Sequence, residues 1–277
     1  MRFLDTSLES ARIKPFLKWA GGKRWLTNNF QHILPQKFNK YLEPFLGSGA
    51  VFFHLKPSSA ILGDKNIELI ETYATIQSDW DGVWKKLKAH QRNHSYNYYY
   101  KIRESSPKNP ITRASRFIYL NRTCFNGLYR VNKNGKFNVP KGTKDKVVFA
   151  DDNFELISNT LKNCKLISGD FEELVSFAAD GDLLYVDPPY TVKHNNNNFI
   201  KYNETIFSWK DQLRLAESLY KAKNKGVKII VSNADSISIR NLYKDFGRIT
   251  KLKRASILAA NSINRHTTTE LLISNNV

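Results

Sequence analysis

Short apolar runs closed by glycine, proline or an acid alternate along this chain with stretches of helical spacing, which predicts an α/β fold. Residues 41–45, 59–63, 165–168, 183–186 and 227–231 read as strands of a parallel sheet. Their apolar residues run on with little polar alternation, as strands buried on both faces do. Residues 248–257 and 269–273 read as a closing antiparallel pair. Helices are expected at 24–33, after a two-glycine turn, at 50–55, and from about Asn66 with Ile67, Ile70 and Ala74 along one face. Ser208-x-x-Asp211 has the form of a capping box opening a helix that turns Leu213, Ala216 and Tyr220 inward and closes at Gly226. Asp235 is placed to cap a further helix reaching Phe246-Gly247, while residues 193–198 and 260–268 read as mobile loops.

The alternation breaks between residues 73 and 146. This stretch reads as mostly helical to about Asn121. A hairpin over 126–140 follows, with an Asn134-Gly135 turn between residues 128–131 and 136–139. It is most simply an insertion, so one domain is expected from 1–72 and 147–277 and a second from 73–146. Charge sharpens that reading. Of a net +18, the segment 84–146 holds +14, from 16 Lys/Arg against two acids. Tyr96, Tyr98, Tyr99, Tyr100, Phe117, Tyr119, Phe125 and Tyr129 are interleaved with those cations. Cations neutralise phosphates and aromatic rings stack on bases, so this segment points to nucleic acid.

With 277 residues, 41% of them hydrophobic, the chain can bury a large core, and no run approaches the ~18 apolar residues of a membrane span. The N-terminus lacks the apolar stretch of a secretory signal. Two cysteines, Cys124 and Cys164, are too few for a disulfide framework or a cysteine-rich zinc site, which implies a cytoplasmic protein with reduced thiols. His90 and His94 have the helical spacing of metal ligands, but no neighbouring Cys or carboxylate completes a set, so they read as structural and no metal is expected.

Candidate chemistry gathers at strand ends. Asp187-Pro188-Pro189-Tyr190 follows the apolar run 183–186, and its two prolines must stop the strand. The carboxyl end of a strand is where open α/β sheets bind ligands. The Asp187 carboxylate and the Pro188 carbonyl can each accept one N–H there, and Tyr190 can stack. That set suits a planar base bearing an exocyclic amino group. Upstream, Gly47-Ser48-Gly49 follows the first strand, and Asp64 closes the next, placed to hold ribose hydroxyls. Together they read as a nucleotide-type βαβ unit. Val51 and Phe52 stand where the third glycine of a hydride-transfer fingerprint would fall, which favours S-adenosyl-L-methionine over NAD.

In their order, FLKWAGGK (16–23), EPFLGSG (43–49) and DPPY (187–190), with the basic segment between the last two, resemble the Dam/DpnII-type (D12 class, alpha group) DNA adenine-N6 methyltransferases. The resemblance spans nearly the whole chain. It implies a Rossmann-like seven-stranded methyltransferase sheet with an inserted helical and β-hairpin DNA-recognition domain. Trp19 and Lys23 would contact the methionine part of the cofactor, Lys23 pairing its carboxylate. Phe45 and Gly47 would line the cofactor pocket, Asp64 would hold the ribose, and Asp170 and Phe171 would border the adenine. Asp187, Pro188, Pro189 and Tyr190 would form the catalytic corner that takes a flipped adenine, with Asp187 also near the cofactor. Residues 120–140 are similar to the family's DNA-reading hairpin. Asn126 would wedge into the base stack, Leu128, Arg130 and Pro140 would contact base edges, and Arg122 and Asn132 would join the DNA contacts. Lys18 matches the reader of a first guanine, which points to GATC. One departure stands out: Lys144 lies near a place where the family often has an aromatic.

The expectation is therefore a site-specific, adenine-specific DNA methyltransferase that needs no metal and releases S-adenosyl-L-homocysteine. It would act as a monomer on double-stranded DNA, away from membranes, in the cytoplasm or on the nucleoid, with a cognate restriction endonuclease as a possible partner. A cytosine-N4 methyltransferase and a catalytically silent DNA-binding protein of the same fold are the rivals. The motif order and Asp187 weigh against the first, and the intact Asp187 and Tyr190 against the second.

Overall fold

A computed structural model describes residues 13–132, 134–191, 207–255 and 267–275, which divide into two compact units. One unit draws on 1–24, 47–56 and 67–163, the other on 25–46, 57–66 and 164–277.

The second unit holds a seven-stranded sheet. Its strands are β1 (Tyr41–Glu43), β2 (Ala60–Asp64), β3 (Cys164–Ser168), β4 (Leu183–Val186), β5 (Lys228–Ala234), β6 (Arg248–Ala255) and β7 (Thr267–Asn275), in the order β3-β2-β1-β4-β5-β7-β6. The first five are mutually parallel, and β7 runs antiparallel between β5 and β6. Strand order reverses at β1 and β4, the switch point where such sheets bind ligands.

Successive strand residues point to opposite faces. Leu42, Ile61, Leu184, Val186, Ile229, Val231, Leu271 and Ile273 form one apolar face. It packs with α7 (Phe171–Ser176), α8 (Trp209–Asn224) and α9 (Ile237–Leu242) through Leu174, Leu215, Leu219 and Ile239. Each such side chain contributes roughly 1.5–3 kcal/mol by leaving water. The capping box is present, with Ser208 and Asp211 bonding reciprocally. The expected inward stripe of α8 is rotated. Leu213 is 46% exposed, and the buried row is Gln212, Leu215, Ala216, Leu219 and Ala222. A polar residue occupies that row because Gln212 accepts a bond from buried Asn233 on β5, 3.2 Å away. Ser236, not Asp235, caps α9, its Oγ accepting the Ile239 N–H at the third helical position. Asp235 pairs with Arg240 and Lys251 instead, and the helix ends at Leu242.

The first unit is helical: α2 (Ala50–Leu55), α3 (Ile67–Asn93), α4 (Tyr96–Glu104), α5 (Pro110–Thr123) and α6 (Phe154–Leu161). The shorter α1 (Arg24–Asn29) precedes β1 and is followed by a 3₁₀ turn over Gln31–Ile33. Asp79 breaks the α3 backbone at φ −149°, ψ 70°, and its side chain accepts the Gly82 N–H, so it caps the second half of that helix. The expected Ile67–Ile70–Ala74 stripe is displaced, with Ile67 59% exposed and Leu69, Ile70, Tyr73 and Ile76 inside. The hairpin forms as a single antiparallel bridge between Val131 and Phe137 rather than as two strands, and it closes one residue early. Asn132 N–H donates to the Lys136 carbonyl, and Gly135 takes φ +72°, so the turn is longer than the two residues expected. Residues 193–198 and 260–266 lie outside the described residues, and Thr267 and Thr268, expected in a loop, already belong to β7.

Candidate active site

The sheet face opposite the apolar one is polar near the switch point. Register places Tyr41 and Glu43 of β1, Tyr185 of β4, Ser232 of β5 and Glu270 of β7 on it. Tyr41 donates to Glu43 at 2.9 Å. Beyond β4, Asp187 is partly exposed, Pro188 is buried, and Pro189 and Tyr190 are half-buried. The Tyr190 hydroxyl reaches back into the sheet, donating to Glu270 Oε2 at 2.9 Å and lying 3.1 Å from Ser232 Oγ. Burial first, then the Asp187 and Glu270 carboxylates, push that hydroxyl well above the ordinary tyrosine range, so it stays a donor. Tyr41 and Tyr185 shift the same way, again mainly by burial. Glu43, Ser232 and Glu270 escaped the sequence reading. The available signal was an acid directly beside apolar strand residues, after Leu42 at Glu43 and before Leu271 at Glu270.

The same unit carries four further cofactor candidates besides Asp187. Asp64 ends β2, its Oδ1 accepting the Asn66 N–H and its backbone carbonyl the Gly169 N–H. Asp170 caps α7 through the Glu172 N–H and pairs with Arg214. Phe171 is buried, its ring stacked 5.6 Å from half-buried Phe45 and 5.0 Å beneath the Arg214 guanidinium. Arg214 also bonds Glu172 and Asp211, an acid-rich setting that raises its pKa, the Glu172 bond most of all.

In the helical unit, Trp19 stacks on Tyr129 at 5.6 Å and on Phe117 at 6.3 Å. Gly47 sits at φ +48°, and a Cβ there would fall 2.6 Å from the Trp19 ring, so conformation and close approach both demand glycine. Lys23 is buried, donating to the Gly21 carbonyl at 3.1 Å.

Buried Asn121 organises the expected DNA contacts. It accepts the Lys18 N–H and donates to the carbonyls of Lys18 and Gly127, joining the FLKWAGGK segment to the Phe125-Asn126-Gly127 turn. The Lys18 stem lies over Gly127, where a Cβ would fall 2.7 Å from Lys18 Cδ. Burial, then neighbouring Lys144, lowers the Lys18 ammonium to about 8. Asn126 is exposed at φ +56°, a conformation asparagine tolerates better than most residues. Pro140 is exposed, and Leu128 and Arg130 are half-buried, with Arg130 Nε donating to Asn138 at 2.9 Å. Asn132 shapes the turn, its side-chain oxygen accepting the N–H groups of Asn134 and Lys136.

Arg122 departs from the expected DNA contact. It is 1% exposed, and all five of its donor bonds go to protein: two to Asp152, two to the Phe16 carbonyl and one to the Val147 carbonyl. No donor remains for a phosphate or a base, so Arg122 is a structural cation. His90 and His94 are structural as well. His90 lies 2.9 Å from the Tyr98 hydroxyl, and His94 bridges the Tyr119 hydroxyl and Asp145. Burial, helped by Lys86, lowers His90 to about 4. Among the described residues, no group of three or more His, Cys, Asp or Glu could hold a metal, and no helix is long and apolar enough to cross a membrane.

An open sheet of this order, with an acid-proline-proline-aromatic corner at the carboxyl end of β4, defines a Rossmann-like methyltransferase fold. Residues 19–257 match the family of D12 class N6 adenine-specific DNA methyltransferases. The chain is 39% identical over 272 residues to a type II methyltransferase, M1.LlaDCHI, of Lactococcus lactis subsp. cremoris, covering 95% of each. Methanocaldococcus jannaschii type II methyltransferase M.MjaIII is 35% identical, over 84% of this chain and 89% of its own length. The DNA adenine methylase of Haemophilus influenzae is 34% identical, over 88% and 86%. The chain belongs to the D12 class of N6 adenine-specific DNA methyltransferases.

Proposed function

We propose that this enzyme moves a methyl group from S-adenosyl-L-methionine to N6 of an adenine swung out of duplex DNA, within a GATC-like site. The observation that carries the reading is the Asp187–Tyr190 corner at the sheet's switch point. An adenine amino group is paired inside the duplex, so it must leave the stack to react. Once out, its ring stacks on Tyr190, while the Asp187 carboxylate and the Pro188 carbonyl accept its two N–H groups and aim the nitrogen lone pair. When bound, the cofactor supplies an already electrophilic methyl group, so the residues act by orientation and exclusion of water. Those present fit it by chemistry: a buried ammonium, Lys23, for a carboxylate and a strand-end acid, Asp64, for ribose hydroxyls. Trp19, Phe45, Gly47, Asp170 and Phe171 complete the proposed cofactor contacts.

Target reading falls to residues 73–146 together with Lys18, and catalysis to 1–72 and 147–277. Asn126 enters the stack, Arg130 reads a guanine edge, and Leu128, Asn132 and Pro140 line the groove. The names of two relatives, both type II methyltransferases, support a cognate endonuclease cutting the same site. We place the enzyme in the cytoplasm as a monomer. Mapping modified adenines by single-molecule sequencing, after expression in a methylation-free host, tests the proposal. Methylation confined to GATC is expected, and an unmodified genome would refute it.

Asp64→Ala should raise the cofactor KM about tenfold with a smaller change in kcat, because a ribose contact binds ground and transition states alike. A collapse in kcat at unchanged KM would move Asp64 into the chemistry. Duplex affinity should fall steeply with salt. If ~5 phosphates are neutralised, log K against log salt slopes by about −4 to −5, whereas a flat response would make the basic segment a solvated face.

A further inference from the structure

Glu270 is buried at 2% exposure within β7, between Thr269 and Leu271. Burying a carboxylate in a sheet costs several kcal/mol unless hydrogen bonds offset it, so its position calls for a reason. Its hydrogen bonding supplies one: Oε2 takes the Tyr190 hydroxyl at 2.9 Å, and Ser232 Oγ stands 3.1 Å from that hydroxyl. Ser232 and Glu270 are diagonal neighbours on one face of the β5–β7 ladder, since Ser232 pairs with Leu272 and Ala234 with Glu270. That ladder is a rigid floor. On the chain side, Pro188 and Pro189 restrict the backbone leading into Tyr190. The ring is therefore held at both ends, by prolines at its root and by a charge-assisted bond at its tip.

We propose that Glu270, assisted by Ser232, is a positioning residue for methyl transfer, locking the Tyr190 ring as a preset platform for the target base. The inference rests on the proposed role of Tyr190 as that platform. A stacking surface whose tilt is set beforehand costs no ordering when the base arrives, and small misplacements of a reacting group are expensive. The effect should fall on kcat rather than on duplex binding, because the platform is used only after the base has left the helix.

The test is a double-mutant cycle in the full-length enzyme with Tyr190→Phe, which keeps the ring and removes the hydroxyl, and Glu270→Gln, which keeps shape and loses charge. We expect each single change to lower kcat about tenfold with duplex affinity within about twofold, and the double variant to be no worse than the weaker single one. Glu270→Ala should be slower than Glu270→Gln, showing partial rescue by the conservative side chain. A duplex with 2-aminopurine at the target position should show a reduced fluorescence gain with Tyr190→Phe and Glu270→Gln. Should Glu270 variants fail to fold, Ser232→Ala and Tyr190→Phe carry the cycle with the same expectation. Wild-type kcat in Tyr190→Phe, or effects that multiply in the double variant, would overturn the inference. Tyr190→Ala separates the two levels: if it is crippled while Tyr190→Phe is normal, only the positioning role fails. If it is fully active, the platform reading fails with it.

Discussion

Asp187→Ala is expected to leave an enzyme that still binds duplex DNA but methylates it at least a hundredfold more slowly. The carboxylate stands beyond β4 at the switch point, partly exposed, where a ligand can reach it. In the proposed mechanism it holds one amino proton of the base and turns the nitrogen lone pair toward the methyl group. That interaction strengthens as the nitrogen gains positive charge, so it favours the transition state over the bound substrate. Losing one such preorganised acceptor typically costs ~3 kcal/mol or more, about two powers of ten in rate. Single-turnover methylation of a duplex carrying one site, with binding followed by anisotropy, measures both quantities. A rate within tenfold of the parent enzyme would remove Asp187 from the chemistry.

The second large effect is on stability. Asp152→Ala should lower the unfolding free energy by about 3–5 kcal/mol, the usual cost of stranding a buried charge. Arg122 is fully enclosed, and Asp152 binds it through two oxygens at 2.6 and 2.7 Å while also taking the Phe149 N–H. The ring centres of Phe149 and Phe154 lie 4.6 and 5.7 Å from the guanidinium carbon, so apolar rings border the charge that would lose its partner. Urea unfolding reads the loss directly. Glu217→Ala is the matched control, because its pair with Lys221 is exposed on both sides and should barely move the midpoint. A loss under about 1 kcal/mol for Asp152→Ala would mean that the cluster repacks around the arginine.

Local signals carried the sheet. β4 starts and ends where its apolar run does, since the residues that close it, two prolines behind an acid, cannot continue a ladder. α2 and the Ser208–Asp211 capping box are equally local, decided within a few residues of each other. The motifs proposed for catalysis and cofactor binding stand out for the same reason: their residues are neighbours in sequence. Other features depended on partners far along the chain. Arg122 looks like a DNA contact until Asp152, 30 residues on, is found to enclose it. Glu270 looks like a stray acid until Tyr190, 80 residues before it, is found to donate to it. The inward face of α8 follows Gln212 because Asn233 awaits it in β5, which no helical period reveals. By itself, then, the sequence determined the parallel strands and the residues that close them, each set by backbone sterics and short-range apolar pattern. Only the tertiary structure decided which charges are buried, because the cost of burying a charge depends on a partner whose position the fold alone defines.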